Sequence, residues 1–241
     1  MRTVLIILLI GLLTGNYYSQ DLDSNTVVFS ISGGIYQETI QLELSTLGEK
    51  IYYTTNGKIP SSSSKRYSDT INLDKTTPIR AVAYKKGKPG EIVTQTYLIG
   101  REYNMAVISI TGNPDDFFSF DRGIYVKGCC ADSVPPYKRA NFWKGWERRI
   151  NIEFYEPTGE LGFNQRVGVR IFGGFSKGLP MKSLAIISRK KYEKKTIKYP
   201  IFPNKDIKKY KSFVLRNSGS DFNNTQFRDA LLTNLIEPLD I

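Results

Sequence analysis

From Val27 to Ile99 apolar and polar residues alternate with a period of two, and no stretch carries the 3.6-residue period of a helix. In IQLELS (40–45) every second residue is apolar, the pattern of a half-buried strand. KIYYTTNGKIPSSSS (50–64) reads as a strand, then Asn56-Gly57, the strongest short turn signal, then a serine-rich loop. INL (71–73) and PIRAVAYKKGKPGEIVTQTYLI (78–99) add strands around a turn at Lys85–Gly90 that holds two glycines and a proline. Strands recurring about every ten residues predict a small antiparallel β-sandwich over 27–99.

After Gly100 the texture changes. AVISITGNP (106–114) is a strand running into a turn, PDDFFSF (114–120) a short helix or turn, and GIYVKG (123–128) another strand. CCADSVPPYKRA (129–140) has loop chemistry. RRINIEFYEPTGELGFNQRVGVRIF (148–172) predicts two strands around a Pro-Thr-Gly turn, and YKSFVLRNSGSD (210–221) one more. A helix follows, capped by Thr225, with Phe227, Leu231, Leu232 and Leu235 on one face. The fold class is therefore mainly β, becoming α+β in the second part. The final helix is still building an apolar face about eight residues before Ile241, with nothing after it to pack against, so 100–241 reads as the first lobe of something larger.

Composition narrows the chemistry. Among 241 residues, 12% are aromatic, enough for real cores, and Lys+Arg exceed Asp+Glu by 34 to 23. The formal charge of +11 favours acidic partners. The chain has no histidine, which removes Ser-His and Cys-His catalysis and histidine-based zinc sites. At the N-terminus Arg2 precedes an apolar run from Val4 to Leu13. A helix of that length spans about 15 Å, roughly half a bilayer core. Residues 1–19 therefore read as a secretory signal peptide and 20–26 as a linker, which predicts an exported protein with no transmembrane segment after cleavage. Cys129 and Cys130 are the only cysteines; they could form a vicinal disulfide, pair with another chain, or stay free.

The segment RVGVRIFGGFSKGLPMKSLAIIS (166–188) sets two strands around a glycine turn. Gly173 and Gly178 have GxxxxG spacing, but Leu179-Pro180 stands where a phosphate-binding loop needs Lys and then Ser or Thr. The dinucleotide fingerprint GxGxxG is absent, and the segment runs strand–turn–strand. Lys182 shares a strand face with Leu184 and Ile186, so it should point towards a core or cleft. On spacing alone that is ordinary, because a lysine stem at a strand end snorkels to water.

Two resemblances extend this reading. YYTTNGKIPSSSSKRYSDTINLDKTTPIRAVAYKKGKPGEIVTQTYLI (52–99) resembles the chitobiase/β-hexosaminidase C-terminal-type module, an immunoglobulin-like sandwich appended to secreted bacterial enzymes. The order GIYVKG, WERRINIEFYEPTGELGFNQRVGVRIFGGFSKGLPMKSLAI, KYPIF and LRNSGSDFNNTQFRDALL is similar to the N-terminal part of the CotH (spore-coat protein H) kinase-like family. That resemblance implies an atypical kinase-like fold and, for the complete protein, transfer of phosphate from ATP to protein serines with Mg2+. It makes Lys182 the candidate phosphate-gripping lysine. Gly173, Gly174, Ser176 and Lys177 would form the nearby turn, and Asp229 is a possible partner for the lysine. Arg170 and Arg216 match family positions whose roles are open. Metal-binding and acceptor-positioning residues lie further downstream in the family. No catalytic or metal residue is therefore assigned within this chain, and Asp221-Phe222-Asn223 is read as a chance likeness to a kinase metal motif.

The expected partner of the family-type protein is a protein substrate. The rival expectation is a surface protein whose kinase-like scaffold binds an acidic polymer, protein or glycan through stretches such as RKKYEKKTIKY (189–199). Nucleic acid is not expected, since no recognition motif for it is present. A third expectation, sugar stacking on Tyr52, Tyr53 and Tyr67, competes with their use as core residues.

Overall fold

The computed structural model describes residues 25–202, 205–219, 221–226, 228 and 231. The signal-peptide assignment, Phe227, Asp229, Leu232 and Leu235 lie outside the described residues.

The first part is built from short strands: β1 (Val27–Phe29), β2 (Gly34–Tyr36), β3 (Ile40–Leu42), β4 (Leu44–Thr46), β5 (Lys50–Thr54), β6 (Lys65–Arg66), β7 (Ile71–Leu73), β8 (Thr77–Lys85), β9 (Lys88–Pro89) and β10 (Val93–Ile99). The path β2-β10-β8-β5-β6, with β9 beside β8, makes one large sheet. The pairs β1-β4 and β3-β7 form the opposite layer. Alternation decides what lies between them. Ile40, Leu42, Leu44 and Leu73 from the small pairs meet Ile51, Tyr53, Ile79, Ala81, Ala83 and Tyr97 from the large sheet. The turn at 86–87 closes the β8–β9 hairpin with Lys86 and Gly87 both at positive φ (51° and 73°), the geometry a two-residue hairpin turn requires.

The second part holds a five-stranded antiparallel sheet in the order β11 (Val107–Gly112), β12 (Arg148–Tyr155), β13 (Leu161–Phe172), β14 (Ser183–Ile187) and β17 (Ser212–Leu215). A small pair, β15 (Ile197–Lys198) with β16 (Lys209–Tyr210), lies beside it. One face carries Ile150, Ile152, Val167, Val169, Ile171 and Ile186, and it packs on Ile124, Ala140 and Phe142 from the long β11–β12 connection. That connection opens with α1 (Pro114–Phe118), whose first turn is capped by Asn113 accepting from the Asp115 N–H.

GIYVKG is not a strand, contrary to the sequence expectation. The Ile124 and Tyr125 N–H groups donate to the Asp116 and Phe117 carbonyls of α1, and Gly128 turns the chain at φ 70°. The apolar side chains reach the core from a folded-back loop. IQLELS also breaks in two at Glu43, which belongs to no strand and exchanges hydrogen bonds with Ser30.

The two parts meet sheet to sheet. Strand β8 is buried on both faces: Ile79, Ala81 and Ala83 face the sandwich core, whereas Arg80 and Val82 face the second part. Thr94 and Thr96 of β10 share that outward face and contact Glu153, Tyr155 and Asn164. No helix among the described residues is long and apolar enough to cross a membrane.

Candidate functional site

The glycine turn forms because β13 ends at Phe172 and Gly173 adopts φ 112°, a conformation closed to most side chains. A Cβ at Gly173 would also sit 2.6 Å from the Ser176 hydroxyl. A single 3-10 turn, Phe175–Gly178, then brings the chain back to β14. Gly178 packs against Pro136, where a Cβ would meet backbone at 3.0 Å. Lys177 reaches over the Trp143 ring at 4.8 Å.

This turn wraps Lys182. The Lys182 ammonium donates to the Lys177 carbonyl at 2.8 Å and the Leu179 carbonyl at 2.6 Å. It lies 4.2 Å from the Phe142 ring centre and 5.4 Å from that of Tyr125. The Lys182 N–H donates to the Tyr125 hydroxyl at 2.9 Å. The residue is 7% exposed, on the core face with Leu184 and Ile186. Burial, helped by the nearby charge of Lys127, pushes the ammonium down to about 8. The cation is thus held by two carbonyls and two aromatic faces.

Asn217 closes the same cluster. Its N–H and side-chain oxygen exchange hydrogen bonds with the Ser183 hydroxyl at 3.0 and 2.8 Å. Its amide donates to the Met181 carbonyl at 2.6 Å. The buried Asp221 carboxylate accepts from the Thr225 hydroxyl and from the Arg228 N–H at 3.2 Å, a capping role that holds its pKa below the ordinary carboxylate range, Thr225 contributing most.

The structure therefore places Gly173, Gly174, Ser176 and Lys177 in one turn, of which Lys177 meets Lys182 through its carbonyl, and leaves Arg170 on the opposite, exposed face of the sheet. Arg216 lies just past β17 and is exposed; Asp229 is outside the described residues. Sequence reasoning missed Tyr125, Phe142 and Asn217 as the groups that hold the lysine and its turn. Their only signal was membership of GIYVKG, NFW and RNSGSD.

Two open clefts flank Arg170. One, of about 300 Å³, runs beneath the glycine turn past Phe172, Gly173 and Lys177. The other, of about 340 Å³, lies towards Arg189, Lys195 and Lys211. A third cleft, of about 520 Å³, is in the sandwich between Tyr53, Asn56, Lys58 and the serine run. Tyr53 is buried edge-on against Tyr67, with Lys65 above its ring, and Tyr52 packs edge-on against Tyr84. These rings serve packing and not an open stacking platform.

Residues 31–95 match the family model of the chitobiase/beta-hexosaminidase C-terminal domain. The first part is a β-sandwich module of that type. No curated protein and no solved structure matches the chain. The chitobiase-type module presents the outward face of β8 and β10 to the second sheet. There Glu153, fully buried, accepts from the Thr96 N–H at 3.0 Å, the Thr96 hydroxyl at 2.5 Å and the Tyr155 hydroxyl at 2.7 Å. Burial drives the Glu153 carboxyl above its ordinary range, and those hydrogen bonds oppose the shift.

Cys129 and Cys130 are joined as a vicinal disulfide in the exposed loop after GIYVKG. Among the described residues no group of three or more acidic or cysteine side chains could hold a metal ion.

Proposed function

We propose that residues 100–241 form the β-rich, nucleotide-side part of a CotH-like kinase fold, in an exported protein whose complete form transfers phosphate from ATP to protein serines. The observation that carries this reading is Lys182, a buried ammonium on the core face of an antiparallel sheet, at the exit of a glycine turn. A lysine in that position can meet phosphate if the turn opens and the Lys177 and Leu179 carbonyls release it. The described residues do not fit a magnesium site, so no step through the metal is assigned to them. The chain alone is expected to bind nucleotide weakly and not to turn over. The test is calorimetric titration of the chain with ATP, with Lys182→Met as control, alongside a phosphate-incorporation assay. Binding lost in the variant supports the reading. Binding equal in both proteins, or turnover by this chain, overturns it.

A second reading is favoured by how completely Lys182 is engaged: the same fold serves as a surface scaffold that binds an acidic partner through cations elsewhere. Binding of an acidic glycan that persists without magnesium and survives Lys182→Ala would select it.

A further inference from the structure

We propose that the open half of the outer face of the five-stranded sheet is a binding furrow for an anionic glycan bearing phosphate or sulfate esters, with Arg170 at its centre. This deepens the second reading and does not depend on Lys182, which points to the other face of the same sheet.

The docked chitobiase-type module covers one half of this face, at Ser109, Glu153 and Asn164. The other half opens around the exposed Arg170, with Glu147 and Tyr192 lying over Gly168 at its margin. In antiparallel pairing, residues directly opposite share a face, and Arg170 opposes Ala185 of β14 and, through it, Val214 of β17. The sheet therefore gathers cations from separate segments. Arg170 from β13, Arg189 and Lys195 from the segment after β14, and Lys211 before β17 line one cleft together with the exposed, hydroxyl-bearing Ser212. Strands β13 and β17 are two sheet spacings apart, about 10 Å. Beyond Arg170 the second cleft adds Lys177 and the half-exposed ring of Phe172.

Among the described residues no carboxylate lines either cleft. The nearest is Glu147 at the rim, where it pairs with Arg189 and Lys191. Like charges are therefore held together with too few counter-charges. Lys177 registers the cost: its ammonium is pushed down by burial first and by Arg170 second. An anion laid along the furrow relieves that repulsion.

The donor set indicates which anion. The guanidinium forks of Arg170 and Arg189 and the exposed Ser212 hydroxyl suit tetrahedral oxyanions better than isolated carboxylates. Two clefts joined at one arginine suit a linear ligand with repeated charges. A single aromatic ring at one end suits the face of a sugar. It does not provide the succession of stacking platforms that single-stranded nucleic acid uses.

The test is fluorescence-polarisation binding of the full chain to labelled dextran sulfate and to phosphomannan, with neutral dextran and an oligothymidylate for comparison. The variant Arg170→Gln/Lys211→Gln changes two exposed side chains; circular dichroism checks its fold, and Lys211→Gln alone is the fallback. The expected result is binding to one or both charged glycans, the preferred one identifying the ester. The double variant should weaken it by about tenfold or more, as loss of two charge-assisted contacts implies. The charge-matched Lys50→Gln/Lys75→Gln in the sandwich should leave it unchanged, as should Lys182→Ala. The proposal is overturned if the control pair weakens binding as much, if oligothymidylate binds as tightly, or if neither charged glycan binds. A failure of ATP binding leaves these outcomes untouched.

Discussion

Glu153→Ala tests whether the two sheets are locked through one buried carboxylate. In the wild type that carboxylate takes three short hydrogen bonds from Thr96 and Tyr155 with no exposure to water. Two donors have somewhere else to go. The Tyr155 hydroxyl can turn to the Thr96 carbonyl at 3.0 Å, and the Thr96 hydroxyl to Ser109 at 2.8 Å. Among the described residues the Thr96 N–H bonds to Glu153 alone. Stranding it costs about 1–3 kcal/mol, and the lost charge-assisted bonding adds to that, so about 2–4 kcal/mol is expected in total. For a chain of this size each kcal/mol lowers the melting temperature by about 2–4 °C. The assays are calorimetric melting and amide hydrogen exchange at Thr96, which should accelerate in the variant. Glu153→Gln keeps one acceptor oxygen and the shape, and should cost about 1 kcal/mol. The pH dependence separates charge from shape. Because the folded carboxyl lies above its unfolded value, its contribution is fullest below the ordinary glutamate range and fades as pH rises through the raised value. Stability of Glu153→Gln relative to wild type should therefore increase over that rise. A Glu153→Ala protein melting within a degree or two of wild type, with Thr96 still protected, would refute the reasoning.

Other expectations follow from single contacts. Gly33→Ala should destabilise by about 1–3 kcal/mol in chemical denaturation, because its Cβ would sit 2.7 Å from the Tyr155 hydroxyl and 2.9 Å from the Thr96 carbonyl. Asn217→Ala should cost about 2–3 kcal/mol by the same measurement, since it removes bonds to Ser183 and Met181 in a buried cluster. Lys182→Met keeps the stem but frees the Lys177 and Leu179 carbonyls, so tryptic cleavage after Lys177 should speed up. The folded ammonium of Lys182, at about 8, lies below its unfolded value, so wild type should gain stability relative to Lys182→Met as pH rises from 8 towards 10. Equal pH profiles for the two proteins would argue against the buried cation.

Much of this architecture was legible before any coordinates. Alternation located the strands, Asn56-Gly57 and the Lys85–Gly90 stretch marked real turns, and the shared face of Lys182, Leu184 and Ile186 sent the lysine inward. GIYVKG was misread because its backbone partners are carbonyls of α1, and a short apolar run records that it is buried and not what its N–H groups will meet. Glu153 is the clearest case. In INIEFY it stands on the face opposite Ile150 and Ile152, where alternation expects water, and only the docked sandwich makes that face an interior. Arg170 likewise had no assigned role in the sequence, and pairing across β13, β14 and β17 set Arg189, Lys195 and Lys211 beside it. The sequence alone determined strand positions, turn sites and the two faces of each strand, because these follow from the local period of the backbone. What covers each face was decided by tertiary packing, since that depends on residues distant in the chain, and both the buried carboxylate and the cationic furrow arise at that level.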